Sequence, residues 1–356
     1  MTSVPKYKQV ARQLQSDIVR SFPDGSRIPT ESELEKRYGV SRITVRQAVA
    51  ELIDLGMLSR QQGRGTYVVD AGAASRNQQP LNIIFSTPHA ALGRVADPFF
   101  GDILRGISAE AGGKHLNISF NDYNFDQDNF LQRLRQVQAN GVILLTAFPE
   151  SLIKEILKMD IRLVMVCNFL TEQPVCRVNN DEKGGSLQAV QYLYDQGLRD
   201  IAIIRDWHND NCQEQRLKGA REAFLQLELE WSDDTVFTHP DRHESEVEYG
   251  YLSTHKMIRE RPKIPEALFV LSDRMAYGAI RALKEIGIEC PRDIKIIGYD
   301  NLESSEHCFP PLTTVAVDKE RLGRISVRLL LEMFKDQMFD PTNILIPTKF
   351  IIRDSA

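Results

Sequence analysis

The chain has 356 residues, more than one ordinary domain needs and enough for two or three. Its apolar fraction of 42% and charged fraction of 26% are those of a globular protein, and no apolar run nears the ~20 residues that span a bilayer, which excludes a membrane-spanning helix. Net charge is −5, but residues 1–70 carry 11 Lys and Arg against 8 Asp and Glu while the rest carry 33 against 41; a basic head on an acidic body points to a polyanion partner for the head.

The opening stretch MTSVPKYKQVARQ has no apolar signal core, so a cytoplasmic location is expected. In YKQVARQLQSDIVRS, Val10, Leu14, Ile18 and Val19 fall on one helical face. PDGSRIPT breaks that helix. Thr30 then caps a second one, ESELEKRYG, with Glu33 as the capping-box partner three residues on, and Gly39 ends it. Ser41 caps a third, from Arg42 to about Leu55, with Val45, Ala48, Val49 and Leu52 facing inward. Two short strand-like pieces flank QGRG in MLSRQQGRGTYVVD.

DAGAASRNQQP is small, polar and without apolar period, which predicts a linker over 71–80 between a head of residues 1–70 and a body of residues 81–356. From Leu81 the pattern changes: LNIIFST, LNISFND, GVILL, RLVMVC, RDIAII, EALFVL and DIKIIGYD are strand-sized apolar runs separated by helix-sized amphipathic stretches. Buried strands alternating with helices predict an α/β fold with doubly wound parallel sheets, and roughly ten strands favour two sheets over one. Ligands of such folds sit beyond the carboxyl ends of strands or between lobes. The five cysteines form no CxxC pair, and Pro240 between His239 and His243 spoils a helical metal pair, so neither metal nor cofactor is expected.

A helix, a tight glycine turn and a capped second helix form the helix-turn-helix pattern, whose second helix enters the major groove N-terminus first. Arg42 and Arg46 are one turn apart near that end, opposite the inward face. Arginine forks onto guanine O6 and N7 or grips phosphate, and Thr44 and Ser41 add hydroxyls. The hairpin around QGRG would be a wing, with Arg64 at its tip placed for a minor groove.

The head resembles the winged helix-turn-helix of the GntR family of bacterial repressors through PKYKQVARQLQSDI, GSRIPTESEL, YGVSRITVRQAVAEL and LGMLSRQQGRGTYV. The resemblance implies DNA contacts from Lys6, Glu31, Ser41, Arg42, Thr44, Arg46, Gln62, Gly63 and Arg64. Several relatives carry arginine where this chain has Ser32, so a phosphate contact there would be weakened.

The body resembles the effector domain of the LacI family, built like periplasmic sugar-binding proteins, through DPFFGDILRGI, VNNDEKGGSLQAVQYLYDQGLRDIAII, QRLKGAREAF, LFVLSDRMAYGAIRALKEIGIECPRDIKIIGYDN and PPLTTVAVDKERLG, in family order. It implies two lobes, roughly 81–178 with 315–337 and 179–314 with the C-terminal strand, crossed three times by the chain. A polyol suits such a cleft: carboxylates accept its hydroxyls, arginine donates, and an aromatic ring covers an apolar face. By motif, Phe99, Phe100, Arg216, Ser272, Asp273 and Asp300 face the effector, with loop 207–213, WHNDNCQ, beside them; Asp273 read by itself is a helix N-cap. A GntR head on a LacI-type body resembles the arabinose repressors, which puts L-arabinose first among effectors.

No G-x-S-x-G, H-E-x-x-H or P-loop is present, so an enzyme is not expected. The remaining alternative, a sugar-binding transport component, fits neither the head nor the absent signal core. The expectation is a ligand-responsive repressor that binds double-stranded operator DNA as a homodimer, one recognition helix per half-site.

Overall fold

A computed structural model describes residues 5–22, 26–54, 57–61, 65–68, 81–88, 98–114, 116–123, 126–169, 171–206, 211–240, 245–336 and 339–356. The chain divides into two units, Met1–Pro80 and Leu81–Ala356. The linker lies outside the described residues.

The first unit contains helices α1 (Lys6–Ser21), α2 (Glu31–Tyr38) and α3 (Arg42–Asp54), then strands β1 (Leu58–Gln61) and β2 (Gly65–Val68). Of the faces read from the helical period, Val10, Leu14, Ile18, Val45, Ala48, Val49 and Leu52 are all buried, joined by Leu34 of α2; the Val19 side chain lies outside the described residues. The local signals act as expected. Thr30 and Glu33 close a capping box, and Gly39 ends α2 at φ 62°, a left-handed conformation that glycine adopts without strain. The Ser41 Oγ accepts from the Thr44 N–H at 3.4 Å and so starts α3. β1 and β2 pair antiparallel with Leu58 opposite Val68. One feature is unexpected: Ser26–Ile28 pairs along β2 as well, with Arg27 bridging Tyr67 and the Ile28 N–H donating to the Thr66 carbonyl at 3.0 Å.

The second unit is two doubly wound lobes. The first lobe holds β3 (Leu81–Pro88), β4 (Leu116–Tyr123), β5 (Gly141–Leu145), β6 (Arg162–Val166) and β7 (Cys176–Asn180) with α4 (Pro98–Ala111), α5 (Gln127–Gln136) and α6 (Glu150–Leu157). The second holds β8 (Ile201–Ile204), β9 (Val236–Phe237), β10 (Ala267–Val270), β11 (Lys295–Asp300) and β12 (Thr313–Ala316). Its helices are α7 (Glu182–Asp195), α8 (Asn211–Gln226), α9 (Glu246–Glu260), α10 (Asp273–Glu285) and the short α11 (Ser304–His307). The chain then returns: α12 (Lys319–Lys335) and β13 (Asn343–Ile346) join the first lobe, and β14 (Lys349–Ile351) the second.

The first sheet has the order β13-β7-β6-β5-β3-β4, all parallel. Side chains alternate between its faces, as the strand period of two requires. Phe85, Ile143 and Val164 pack under α4 and α12; Ile84, Val142 and Leu163 pack under α5 and α6. α4 and α12 approach closely at Gly106 and Gly323, where a Cβ would stand 2.0 Å from the Glu320 carbonyl oxygen and 2.1 Å from that of Ile103. The second sheet has the order β14-β12-β11-β10-β8-β9, parallel except for its edge strand β14.

The chain crosses between lobes at Asp181, between Ala316 and Lys319, and at residues 347–348. Asp181 and Asp318 each end a crossing by capping the helix that follows. The crossings differ slightly from the sequence expectation: residues 313–316 belong wholly to the second lobe, and the first lobe gains β13. Among the described residues, no helix is long and apolar enough to cross a membrane.

Candidate nucleic-acid interface and ligand cleft

In the head, α2, the turn at 39–41 and α3 build a helix-turn-helix. Packing of Val45, Val49 and Leu52 turns Arg42, Ile43, Arg46 and Gln47 outward, and Ile43 is 72% exposed. Lys6, Ser41 and Ser32 are also exposed. Glu31, at the first turn of α2, gathers three arginines. Its carboxylate meets Arg42 Nε at 3.3 Å, Arg46 Nε at 3.7 Å and Arg60 Nη2 at 2.6 Å. Partial burial acts to raise the Glu31 pKa, but the arginines outweigh it and the net shift is downward. Two of those arginines come from α3 and one from β1, so one carboxylate ties the helix to the hairpin. The Ser41 and Thr44 hydroxyls bond each other at 2.9 Å.

In the body, the carboxyl ends of both sheets face a common cleft that encloses about 100 Å³ and is open in part to solvent. Phe99, Phe100, Thr146 and Cys167 line it from the first lobe; Cys212, Gln213, Arg216, Ser272, Arg274 and Asp300 are among its lining from the second. Backbone strain gathers at these strand ends. Thr146 has φ 72°, Cys167 φ 53° and Asp300 φ 110°, conformations held only where the surroundings impose them.

Arg216, on α8, is the centre of the polar wall. It is 5% exposed. Nε donates to Glu182 Oε2 at 2.7 Å, Nη1 to the Leu271 carbonyl at 2.7 Å and Nη2 to Asp300 Oδ1 at 2.8 Å. Its guanidinium lies 3.9 Å from the Tyr299 ring centroid. Among the described residues, three of its five N–H groups are thus engaged. Burial works against the Arg216 charge, yet Asp300 and Glu182 hold its pKa well above the ordinary arginine value. Burial pushes the Asp300 carboxyl up to about 7, with Arg216 pulling the other way. Lys319, at the start of α12, donates to the carbonyls of Asp300 at 2.6 Å and Asn301 at 3.2 Å, and its ammonium is 5.8 Å from the Phe99 ring centroid. Burial lowers its pKa. Ser272 Oγ donates to Glu246 Oε2 at 2.9 Å.

Two family profiles match this chain: bacterial regulatory proteins of the gntR family over residues 6–68, and a periplasmic binding protein-like domain over residues 190–356. The HTH-type transcriptional repressor PurR of Yersinia enterocolitica is 30% identical over 270 residues, 73% of this chain and 76% of that protein. The chain belongs to the LacI/GntR family of transcriptional repressors. The HTH-type transcriptional repressor MelR of Bacillus subtilis is 27% identical over 334 residues, 93% of this chain and 92% of its own length, so the likeness runs through head and body together. A LacI family transcriptional regulator from Enterococcus faecium with bound ribose superposes with TM-score 0.65 at 25% identity, covering 76% of this chain and 98% of that one.

The repressor brings together most of the residues read from its sequence. Phe99, Phe100, Arg216, Ser272 and Asp300 share one cleft. Asp273 does not. It is fully buried and accepts from the Leu302 N–H at 2.9 Å and from the Ser305 and Thr314 hydroxyls, each at 2.6 Å. One oxygen holds the loop after β11 and the other Thr314 on β12, and Ser272, not Asp273, is the N-cap of α10. Of the loop 207–213, Gln213 lines the cleft, while 207–210 lie outside the described residues, as do Gln62, Gly63 and Arg64 of the wing. Sequence reasoning missed Glu182, Lys319 and Arg60. Each is an ordinary charged residue at a helix start or on a strand, and only its distant partner gives it a role.

Proposed function

We propose that this repressor binds operator DNA as a homodimer through its heads, and that its body closes on a small sugar that alters operator affinity. The observation that carries the ligand reading is the composition of the cleft: an aromatic pair from one lobe opposes Arg216, Asp300, Gln213 and Ser272 from the other. A polyol bridging the two walls favours closed lobes, and that preference shifts their equilibrium. The three crossings are the hinge. L-arabinose leads the candidates on the resemblance to the arabinose repressors; the ribose held by the Enterococcus faecium regulator supports a sugar ligand. On the DNA, Arg42 and Arg46 reach base edges or phosphates, Lys6, Ser41 and Thr44 hold the backbone, Gln62, Gly63 and Arg64 supply the wing, and Glu31 aims the arginines.

Thermal unfolding in the presence of L-arabinose, D-ribose, D-xylose and D-glucose tests the ligand reading. A ligand at ~100 times its dissociation constant adds ~2.7 kcal/mol and raises Tm. A shift with L-arabinose alone supports the full proposal, and a larger shift with another sugar replaces the effector. A Tm that no sugar moves overturns the sugar reading.

A further inference from the structure

Two cysteines line the cleft from opposite lobes. Cys167 follows β6 in the first lobe, and Cys212 stands in the first turn of α8 in the second. Both line the cavity and both are nearly closed to bulk solvent, at 3% and 8% exposure. Cys212 Sγ lies 3.8 Å from the Cys167 carbonyl oxygen, so the two residues touch across the gap between lobes. Cys167 is fixed in place: its φ is 53°, and its N–H donates to the Val178 carbonyl at 3.1 Å. Arg216 is one helical turn beyond Cys212, on the same face of α8. None of the other three cysteines lines this cavity.

We propose that Cys167 and Cys212 are a redox-modification site, in which a hydroperoxide oxidises the pair to a disulfide that ties the two lobes together. In the first step the Cys212 thiolate attacks the peroxide O–O bond. With hydrogen peroxide, one oxygen leaves as hydroxide, takes a proton to become water, and the other stays on sulfur as a sulfenic acid. In the second step the Cys167 sulfur attacks that sulfur, the S–O bond breaks, and a second water leaves with the thiol proton. Two thiols and one peroxide become one disulfide and two waters, with two electrons passing from sulfur to oxygen. A disulfide needs Cα atoms about 4.4–6.8 Å apart, so the bond forms when the lobes are drawn together and then keeps them so. The oxidised cleft is locked whether or not its natural ligand is a sugar; the inference does not rest on that reading.

The test uses the reduced full-length protein, hydrogen peroxide as the probe, and peptide mapping by mass spectrometry without reductant. The expected result is a peptide joining Cys167 to Cys212, lighter by two hydrogens than the separate thiols and separated again by dithiothreitol. Cys212→Ser and Cys167→Ser each abolish it, and Cys290→Ser does not. Tm of the oxidised protein rises by several degrees and returns on reduction, because the bond closes a loop that spans both lobes. Wild-type protein that stays fully reduced overturns the proposal, as does protein that accumulates sulfinic acid at Cys212 without the joined peptide. Both outcomes are read on the wild type, so a serine variant that fails to fold leaves the result decisive.

Discussion

Arg216 and Asp300 are bound to each other at 2.8 Å inside the cleft, and Glu182 holds the same guanidinium at 2.7 Å from behind. The arginine read from sequence as a ligand grip is therefore also part of the fold. Removing one member of a buried ion pair costs about 3–5 kcal/mol, because the partner charge is left without compensation. Arg216→Ala strands two carboxylates. It should lower stability by at least that order, seen as a large fall in the urea midpoint, along with loss of ligand binding. Intact stability in this variant would mean that water replaces the guanidinium and that the pair is not structural.

Phe99 offers the cleaner probe of the ligand. It is half-buried, meets the Phe100 ring edge-on at 5.6 Å, and lies 5.8 Å from the Lys319 ammonium. Phe99→Ala should weaken effector binding about tenfold, or ~1.4 kcal/mol, the scale of a lost aromatic contact. The urea midpoint should fall far less than for Arg216→Ala. Calorimetric titration beside denaturation separates the two; unchanged affinity would remove Phe99 from the ligand's path.

Much of this architecture is legible in the chain because its determinants are local. Val45, Ala48, Val49 and Leu52 repeat at helical spacing, Thr30 and Glu33 cap at fixed separation, and GVILL is apolar because β5 is buried on both faces. Two short strands outside the apolar runs lack that signal. β9 is two residues long, and β13 leaves alternate residues exposed at a sheet edge. The site is legible only in part, for a related reason. Arg216 and Asp300 stand in recognisable motifs, but their partnership joins residues 84 positions apart, and Arg216 to Glu182 spans 34. No spacing rule relates such pairs. Asp273 misled because an aspartate at a helix start beside a pocket reads the same whether it faces a ligand or a buried loop.

The arginine cluster in the head makes opposed predictions for two substitutions. Arg46→Ala removes a positive group from the exposed face of α3. It should cost about 1–3 kcal/mol of operator affinity if that group forks onto a base. Glu31→Gln removes the charge that gathers Arg42, Arg46 and Arg60. The freed arginines should bind any duplex more tightly, since one repulsion with phosphate is gone, and discriminate less. Operator and scrambled duplexes compared at two salt concentrations read both effects. A Glu31→Gln protein with undiminished preference for its operator would show that the carboxylate does not aim the arginines.

The buried carboxylates predict how stability follows pH. Burial raises Asp273 to about 6 despite three hydrogen bonds, and Asp300 to about 7, against about 3.9 for an exposed aspartate in the unfolded chain. Between those values the folded protein holds protons that the unfolded chain has released. Stability from these groups is therefore fully present below about pH 4 and is lost as pH rises through their folded values, the reverse of a salt-bridged surface aspartate. For Asp273 the change is on the order of 3 kcal/mol, from about two units at 1.36 kcal/mol each. Other carboxylates slope the opposite way: Glu110, held down to about 2 by Arg328 and Lys114, gains the fold stability as pH climbs past its own value. The difference between variants isolates the buried group. Urea midpoints of wild type and Asp273→Asn should converge toward the acid end and diverge in favour of the variant as pH rises from 4 to 7, after allowance for the hydrogen bond that the amide cannot accept. Parallel curves across that range would mean that Asp273 stays ionised throughout, its three donors outweighing its burial.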